Sequence, residues 1–350
     1  MVRMIRQSMT AYATPLCETV VEAPEPLGAE VLVRIARCGV CHSDVHLQDG
    51  YFGLGGEKKL DVTAARSLPF TLGHEIAGVV EKAGPDAGVA IGREAAVFPW
   101  IGCGECAACR AEEENLCSAP RHLGIQVDGG FATHVLVPHP RYLIDHAPLS
   151  ASLAGAYMCS GLTAYSALKR IAEHAKRGPV LLVGLGGVGM MGLSFARAMF
   201  PHAPIVADID ARKREAALAA GASAAYDPAD PGARKALFKA TGGVFGAIDF
   251  AGTDGSLAFA TGAIAKGGKV VITGLIGGTF TTPIAMFPLK AMTIEGTMTG
   301  TLAEAQEMMA LARSGGIAPV PIIERPLGAA QASLDDLRGG KIVGRVVLVP

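Results

Sequence analysis

The chain has 350 residues and half of them are apolar, enough for about two domains with a substantial core. Its 31 basic and 32 acidic residues leave a formal net charge of -1 and form no long like-charge run. That excludes nucleic acid and an anionic membrane surface as the main partner and leaves small molecules or proteins.

Mean hydropathy is positive, but glycine and alanine raise it, and no run reaches the roughly eighteen apolar residues that mark a spanning helix. The opening MVRMIRQSMTAYA has two arginines and no apolar h-region, so no secretory signal is expected. A cytoplasmic location follows as the expectation, where the eight cysteines stay reduced and clustered thiols favour metal over disulfides.

Residues 1–37 read as short strands, at Val20-Val21 and over 30–36, where β-branched and polar residues alternate. Cys-Gly-Val-Cys-His-Ser-Asp-Val-His follows at 38–46. On its own this stretch supports two readings. Cys41 is a ligand of a catalytic zinc, or Cys38 and Cys41 form half of a structural zinc site or a redox pair. Residues 48–68 lack periodicity and read as a long loop, with Tyr51, Phe52 and Leu54 as candidate pocket walls. Leu72-Gly73-His74-Glu75 leads into a strand over 76–81, and places a second candidate ligand on a separate loop.

Cys103, Cys106, Cys109 and Cys117 have the spacing C-x2-C-x2-C-x7-C. Four thiolates so close in sequence close a tetrahedron around zinc and leave no open position, so this site is expected to be structural. An iron–sulfur cluster is the competing reading.

From residue 129 to 143 strand-like alternation returns, and near 150 the texture changes. Cys159 and Thr163 lie at the start of an alanine-rich helical stretch. Val-Leu-Leu-Val-Gly-Leu-Gly-Gly-Val-Gly at 180–189 then predicts a buried strand, a glycine turn and a helix over 188–200. Gly184, Gly186, Gly187, Val188 and Gly189 form the turn, where backbone N–H groups can approach a pyrophosphate at the helix N-terminus. Asp208 ends the next strand and is placed to accept from ribose hydroxyls, which favours NAD over NADP. Arg212 and Lys213 oppose that preference if they reach the cofactor. Further strands at 224–226, 247–250, 269–275 and 292–296 bring the count to six, a doubly wound parallel sheet. Its strand ends nominate Gly252, Gly274, Leu275 and Ile276 as cofactor neighbours. A helix over 302–313, a strand at 320–323, a short helix at 331–337 and a strand at 343–349 complete the chain, the last segment packing back on the first domain.

Taken together, Gly39-Val40-Cys41-His42-Ser43-Asp44, Gly73-His74-Glu75, the four-cysteine lobe, Cys159 with Thr163, the glycine turn with Asp208, and Gly344-Arg345 resemble the zinc-dependent medium-chain alcohol dehydrogenases over essentially the whole chain. The Tyr-Phe-Gly-Leu-Gly-Gly run at 51–56 looks most like the 6-hydroxyhexanoate dehydrogenase-like branch. The resemblance implies an α/β protein with a GroES-like β-rich catalytic domain (1–153 and 297–350, with a zinc lobe at about 98–120) and a Rossmann domain (154–296).

It further implies two zinc ions per chain. Cys41, His74 and Cys159 hold the catalytic one, with Glu75 close behind and Asp44 positioning His74. His42 and Arg345 face the cofactor phosphates, Thr163 approaches the nicotinamide, and Trp100 and Phe52 wall the pocket. Three protein ligands leave a fourth position where the metal lowers the pKa of a bound alcohol, and Ser43 passes the proton to His46 at the surface. The reaction implied is reversible hydride transfer between a small alcohol and NAD, in a homo-oligomer, dimer or tetramer. An NADPH-dependent carbonyl reductase and a non-catalytic zinc scaffold of the same fold are the rival readings.

Overall fold

The computed structural model describes residues 2–350. Its first half is built on a seven-stranded sheet in which Leu143–Ile144, Glu94–Val97, Glu75–Ala83, Val31–Gly39, Arg345–Val349 and Ile322–Pro326 lie side by side, with His134–Val137 also paired to Val31–Gly39. The end of the chain therefore sits inside the sheet begun by its start, with Val347 opposite Gly39 and Leu348 opposite Cys38. A smaller sheet adds Arg3–Met9, Cys17–Glu22 and Phe70–Thr71. This is the GroES-like half, and Arg3–Met9 lies within the 1–37 span read as short strands but was not picked out there.

The second half is a six-stranded sheet in the order Ala224–Tyr226, Ile205–Ala207, Leu181–Val183, Val244–Asp249, Ile264–Ile272, Thr293–Gly296, with every pair parallel. Numbered along the chain this is the Rossmann order 3-2-1-4-5-6, and its direction reverses between Leu181–Val183 and Val244–Asp249. Both faces of the inner strands are covered, while the edge strands Ala224–Tyr226 and Thr293–Gly296 are half-buried to exposed. Leu182, Val206, Ile248 and Val271 pack into the core that runs on into the first half, while Leu181, Val183, Ile205, Ala247 and Val270 form a separate cluster on the other face. Burial on both faces is why the inner strands read as continuous apolar runs without alternation.

The segment expected to be a loop at 48–68 is more ordered than that. Tyr51–Gly53 and Lys59–Asp61 pair as an antiparallel hairpin, and its tip meets the far half, since a Cβ on Gly55 would stand 2.7 Å from the Gly278 carbonyl carbon. Among the described residues no helix is long and apolar enough to cross a membrane.

The last strand should matter for stability well beyond its length. Leu348 is fully buried, so Leu348→Ala is expected to cost about 2–5 kcal/mol, read from the urea unfolding midpoint. Val343, 40% exposed just outside the strand, should tolerate alanine within about 0.5 kcal/mol.

Candidate metal centre and dinucleotide cleft

Cys41 lies two residues beyond the Val31–Gly39 strand and serves as the N-cap of helix His42–Asp49. Asp44, in the first turn and without exposure, accepts the Cys41 amide at 2.9 Å and the Gly73 amide at 3.2 Å, and its Oδ1 lies 3.3 Å from His74 Nδ1. One carboxylate thus fixes two elements distant in sequence. Cys159 comes from the other half, on the π-helical turn Tyr157–Gly161. That wide turn interrupts a run of α-helix, as such turns often do at functional sites.

Ligand atoms of Cys41, His74, Glu75 and Cys159 all lie within 4.8 Å of one another and all four residues are buried. The Cys41 and Cys159 sulfurs are 4.0 Å apart and unlinked. His74 Nε2 has no hydrogen-bond partner among the described residues, an orphaned buried nitrogen beside two thiols. Sulfur, nitrogen and carboxylate oxygen in one dry pocket are the donors zinc prefers, so the residues fit the metal. A hydrogen bond from the Cys159 thiol holds Cys41 well below its usual pKa despite burial, and His74 adds to it. The same bond, with burial, pushes Cys159 well up. Burial opposes charge on His74, yet Asp44 and the Cys41 thiolate raise it well above its usual value.

Glu75 is pinned from behind. Ser160 Oγ donates to its Oε1 at 2.6 Å, and the buried Arg345 guanidinium pairs with its other oxygen and donates to the Val40 carbonyl at 3.0 Å. Burial raises the Glu75 pKa, and Arg345 opposes the rise. Arg345 also lies against the glycine turn, where a Cβ on Gly187 would stand 2.8 Å from its side chain. It therefore borders the acidic cluster on one side and the dinucleotide helix on the other.

The glycine turn opens helix Gly187–Met199. Gly184 adopts φ +88°, and a Cβ on Gly189 would collide with the Gly184 carbonyl. Both positions therefore need glycine, and the close packing leaves turn amides facing outward. Asp208, buried at the end of its strand, accepts from the Leu185 amide at 2.6 Å and the Asp210 amide at 2.8 Å. Across the sheet, Gly252 and Gly274 pack backbone to backbone, next to Ala251, which borders Gly184.

The second thiol cluster is equally well formed. Cys106 Sγ lies 3.5 Å from Cys109 and 3.7 Å from Cys117, and Cys103 Sγ lies 4.0 Å from Cys109. Backbone amides of Cys103 and Ala119 donate to Cys117 Sγ at 3.2 and 3.3 Å. Amide bonds hold Cys106 down to about 6, while burial pushes Cys109 up to about 12.

Residues 28–147 match the alcohol dehydrogenase GroES-like domain family and residues 187–314 the zinc-binding dehydrogenase family. The chain is 36% identical to an NAD-dependent alcohol dehydrogenase of Sulfurisphaera tokodaii, over 93% of this chain and 94% of that one. It is 35% identical to one of Saccharolobus solfataricus, over 96% and 97%. The chain belongs to the zinc-dependent medium-chain alcohol dehydrogenases. Among solved structures, the alcohol dehydrogenase of Aeropyrum pernix matches with a TM-score of 0.88 at 29% identity, covering 99% of this chain and 100% of that one.

Several residues named from the sequence sit differently from expectation within this dehydrogenase fold. His46 is half-buried, 4.9 Å from the Phe52 ring and 6.2 Å from His42, and burial lowers its pKa. Phe52 therefore packs on His46, while Trp100 packs on His74 at 5.6 Å. Arg212 is turned onto Asp210 at 2.8 Å, engaged on its own helix. His42 is exposed as a residue, and partial burial of its ring, followed by the Arg345 and then the Lys213 charge, lowers its pKa against the opposing Cys41 charge. Leu275 and Ile276 are 57% and 58% exposed on the loop that meets the hairpin. Thr163 lies half-buried in the first turn of helix Leu162–Arg170. Ser160 was missed, because a serine in a helical stretch carries no signal of a carboxylate partner. Cys38 is buried in the core.

The Glu75–Arg345 pair makes a direct prediction. Both side chains are at most 5% exposed, so Arg345→Met leaves a carboxylate buried without its cation and is expected to cost about 3–5 kcal/mol in urea unfolding. Adding Glu75→Gln to that variant should recover part of the loss.

Proposed function

We propose that the chain is an NAD-dependent alcohol dehydrogenase, interconverting a primary or secondary alcohol with its aldehyde or ketone. The observation that carries the reading is the buried Cys41, His74 and Cys159 donor set, joined through Arg345 to a glycine turn with an acidic residue at the next strand end. Names of the relatives support the same reaction. Bound zinc supplies a Lewis acid that lowers the pKa of an alcohol, and bound NAD supplies the hydride acceptor.

Cys41, His74 and Cys159 hold the catalytic metal, with Glu75 behind it, and Asp44 keeps the His74 ring oriented. Cys103, Cys106, Cys109 and Cys117 hold a second, structural zinc. Gly184, Gly186, Gly187, Val188 and Gly189 present backbone amides to the pyrophosphate, with His42, Lys213 and Arg345 alongside. Asp208 exchanges its bond to the Leu185 amide for ribose hydroxyls, and its charge disfavours a 2′-phosphate. Thr163, Gly252 and Gly274 to Ile276 border the nicotinamide half. Ser43 Oγ, 3.8 Å from Cys41 Sγ, takes the alcohol proton, and His46 on the same helix passes it outward. Residues 1–153 with 297–350 form the catalytic domain, and 154–296 the cofactor domain. A cytoplasmic homo-oligomer, dimer or tetramer, completes the reading.

Metal analysis should give two zinc ions per chain. Cys41→Ala is expected to retain one zinc and the fold while losing at least a thousandfold in alcohol oxidation. Cys106→Ala should instead lower the thermal midpoint of the lobe. Similar behaviour of the two variants would refute the division into catalytic and structural sites. With NAD and NADP compared at equal concentration, NAD should be preferred, and Asp208→Gly should narrow the gap; a wild-type preference for NADP would overturn the cofactor assignment.

A further inference from the structure

Beyond the metal centre the structure leaves three polar atoms buried without a partner around one turn. The Trp100 ring lies 5.6 Å from His74 on one side and 5.3 Å, edge-on, from His122 on the other. His122 is 2% exposed, and its Nε2 has no hydrogen-bond partner among the described residues. The Gln126 amide donates to the His122 carbonyl at 3.0 Å, closing an α-turn. Side chains four apart in such a turn leave from the same side. Gln126 Oε1 is also buried and unpartnered among the described residues. Arg66, from the chain beyond the hairpin, is tied to this turn by its Nε, which donates to the Ile125 carbonyl at 2.8 Å. Its Nη1 completes the unpartnered set. Buried polar groups are ordinarily paired, and those that are not call for an explanation such as a ligand.

We propose that the turn 122–127 with Arg66 is a polar wall of the substrate pocket, and that the substrate is an alcohol bearing further hydroxyl groups rather than a plain alkanol. This rests on the alcohol dehydrogenase reading above. The chemistry of the three atoms chooses the class. Burial pushes the His122 ring down to about 4 against the opposing effect of the Glu114 backbone, so the ring is neutral at neutral pH and its free Nε2 can accept a hydroxyl proton. Gln126 Oε1 is an acceptor as well. Two acceptors repel a carboxylate and receive hydroxyl protons, while the Arg66 donor meets a hydroxyl or carbonyl oxygen. A hydroxylated chain satisfies all three, and an alkyl chain satisfies none. Trp100 separates this wall from His74, so the hydroxyls recognised lie away from the reacting carbon.

The test compares kcat/KM of the zinc-loaded full chain for three four-carbon primary alcohols: 1-butanol, 1,2,4-butanetriol and 4-hydroxybutanoate. The triol should exceed butanol at least about tenfold, and His122→Leu and Gln126→Leu should each lower the triol-to-butanol ratio about tenfold. A butanol preference that neither variant moves overturns the proposal, as does a preference for 4-hydroxybutanoate, which would give Arg66 a carboxylate to bind. The chain has a single tryptophan, so Trp100 emission reports binding without turnover. If none of the three alcohols is oxidised, the assigned reaction falls by itself. The polar wall then stands if the triol alone shifts the emission and both variants abolish the shift, and falls if the triol has no effect.

Discussion

Two buried carboxylates organise the catalytic half. Asp44 and Glu75 have no exposure, and an ionised carboxylate out of water must find its hydrogen bonds within the protein. Asp44 finds them at the Cys41 and Gly73 amides and near the His74 ring. Glu75 finds them at Ser160 and Arg345. Each partner comes from a different stretch of chain, so satisfying two charges brings together the first helix, the His74 loop, the π-helical turn and the last strand. The metal donors lie on the same elements that these carboxylates tie together.

In the other half the organising constraint is steric. The inner parallel strands are covered on both faces, so the place left for a ligand is at their carboxyl ends, where the strand order reverses. There the chain uses backbone in place of side chains, with Gly184 against Gly189 and Gly252 against Gly274. Each such contact leaves no room for a side chain and lets backbone pack directly on backbone. Asp208 lies close enough to hold the Leu185 amide, so the acidic group and the turn are already arranged as one unit.

Much of this was legible in the sequence, for reasons that differ by element. Helix Leu302–Arg313 was read to the residue from its apolar residues at helical spacing and the stop at Gly315-Gly316, and a capping box of Thr301 and Glu304 fixes its start. The inner parallel strands Leu181–Val183 and Ile205–Ala207 were readable because burial on both faces writes an apolar block, and the edge strands followed from the regular alternation of strand and helix. Arg3–Met9 lies within the 1–37 span read as short strands but was not picked out, because its alternation lasts only through Ile5 and Gln7, Ser8 and Met9 are then buried in succession. The hairpin at 51–61 was missed because its strands are three residues each and none of the six is buried, so pairing and not patterning defines them. The ligand triad was legible only through the family resemblance, since Cys159 alone is one buried cysteine among several. The partners Ser160 and His122 carried no signal, because what makes them matter is where a distant segment comes to rest.

This difference between centre and periphery has a physical basis. A metal site and a pyrophosphate turn demand residue types: thiolate, imidazole and glycine at positions where nothing else fits. A pocket wall demands only shape and polarity, which many residues supply. Where the two halves meet over the cleft, Gly53 and Gly55 touch Gly277 and Gly278 backbone to backbone. That contact buries almost no side chain, so hydrophobic burial contributes little to holding the halves together there. It still limits what the hairpin tip can carry, because a side chain at Gly55 would strike the opposite backbone. Shape at this edge of the cleft is therefore set by the absence of side chains, and specificity falls to the deeper polar groups around Trp100.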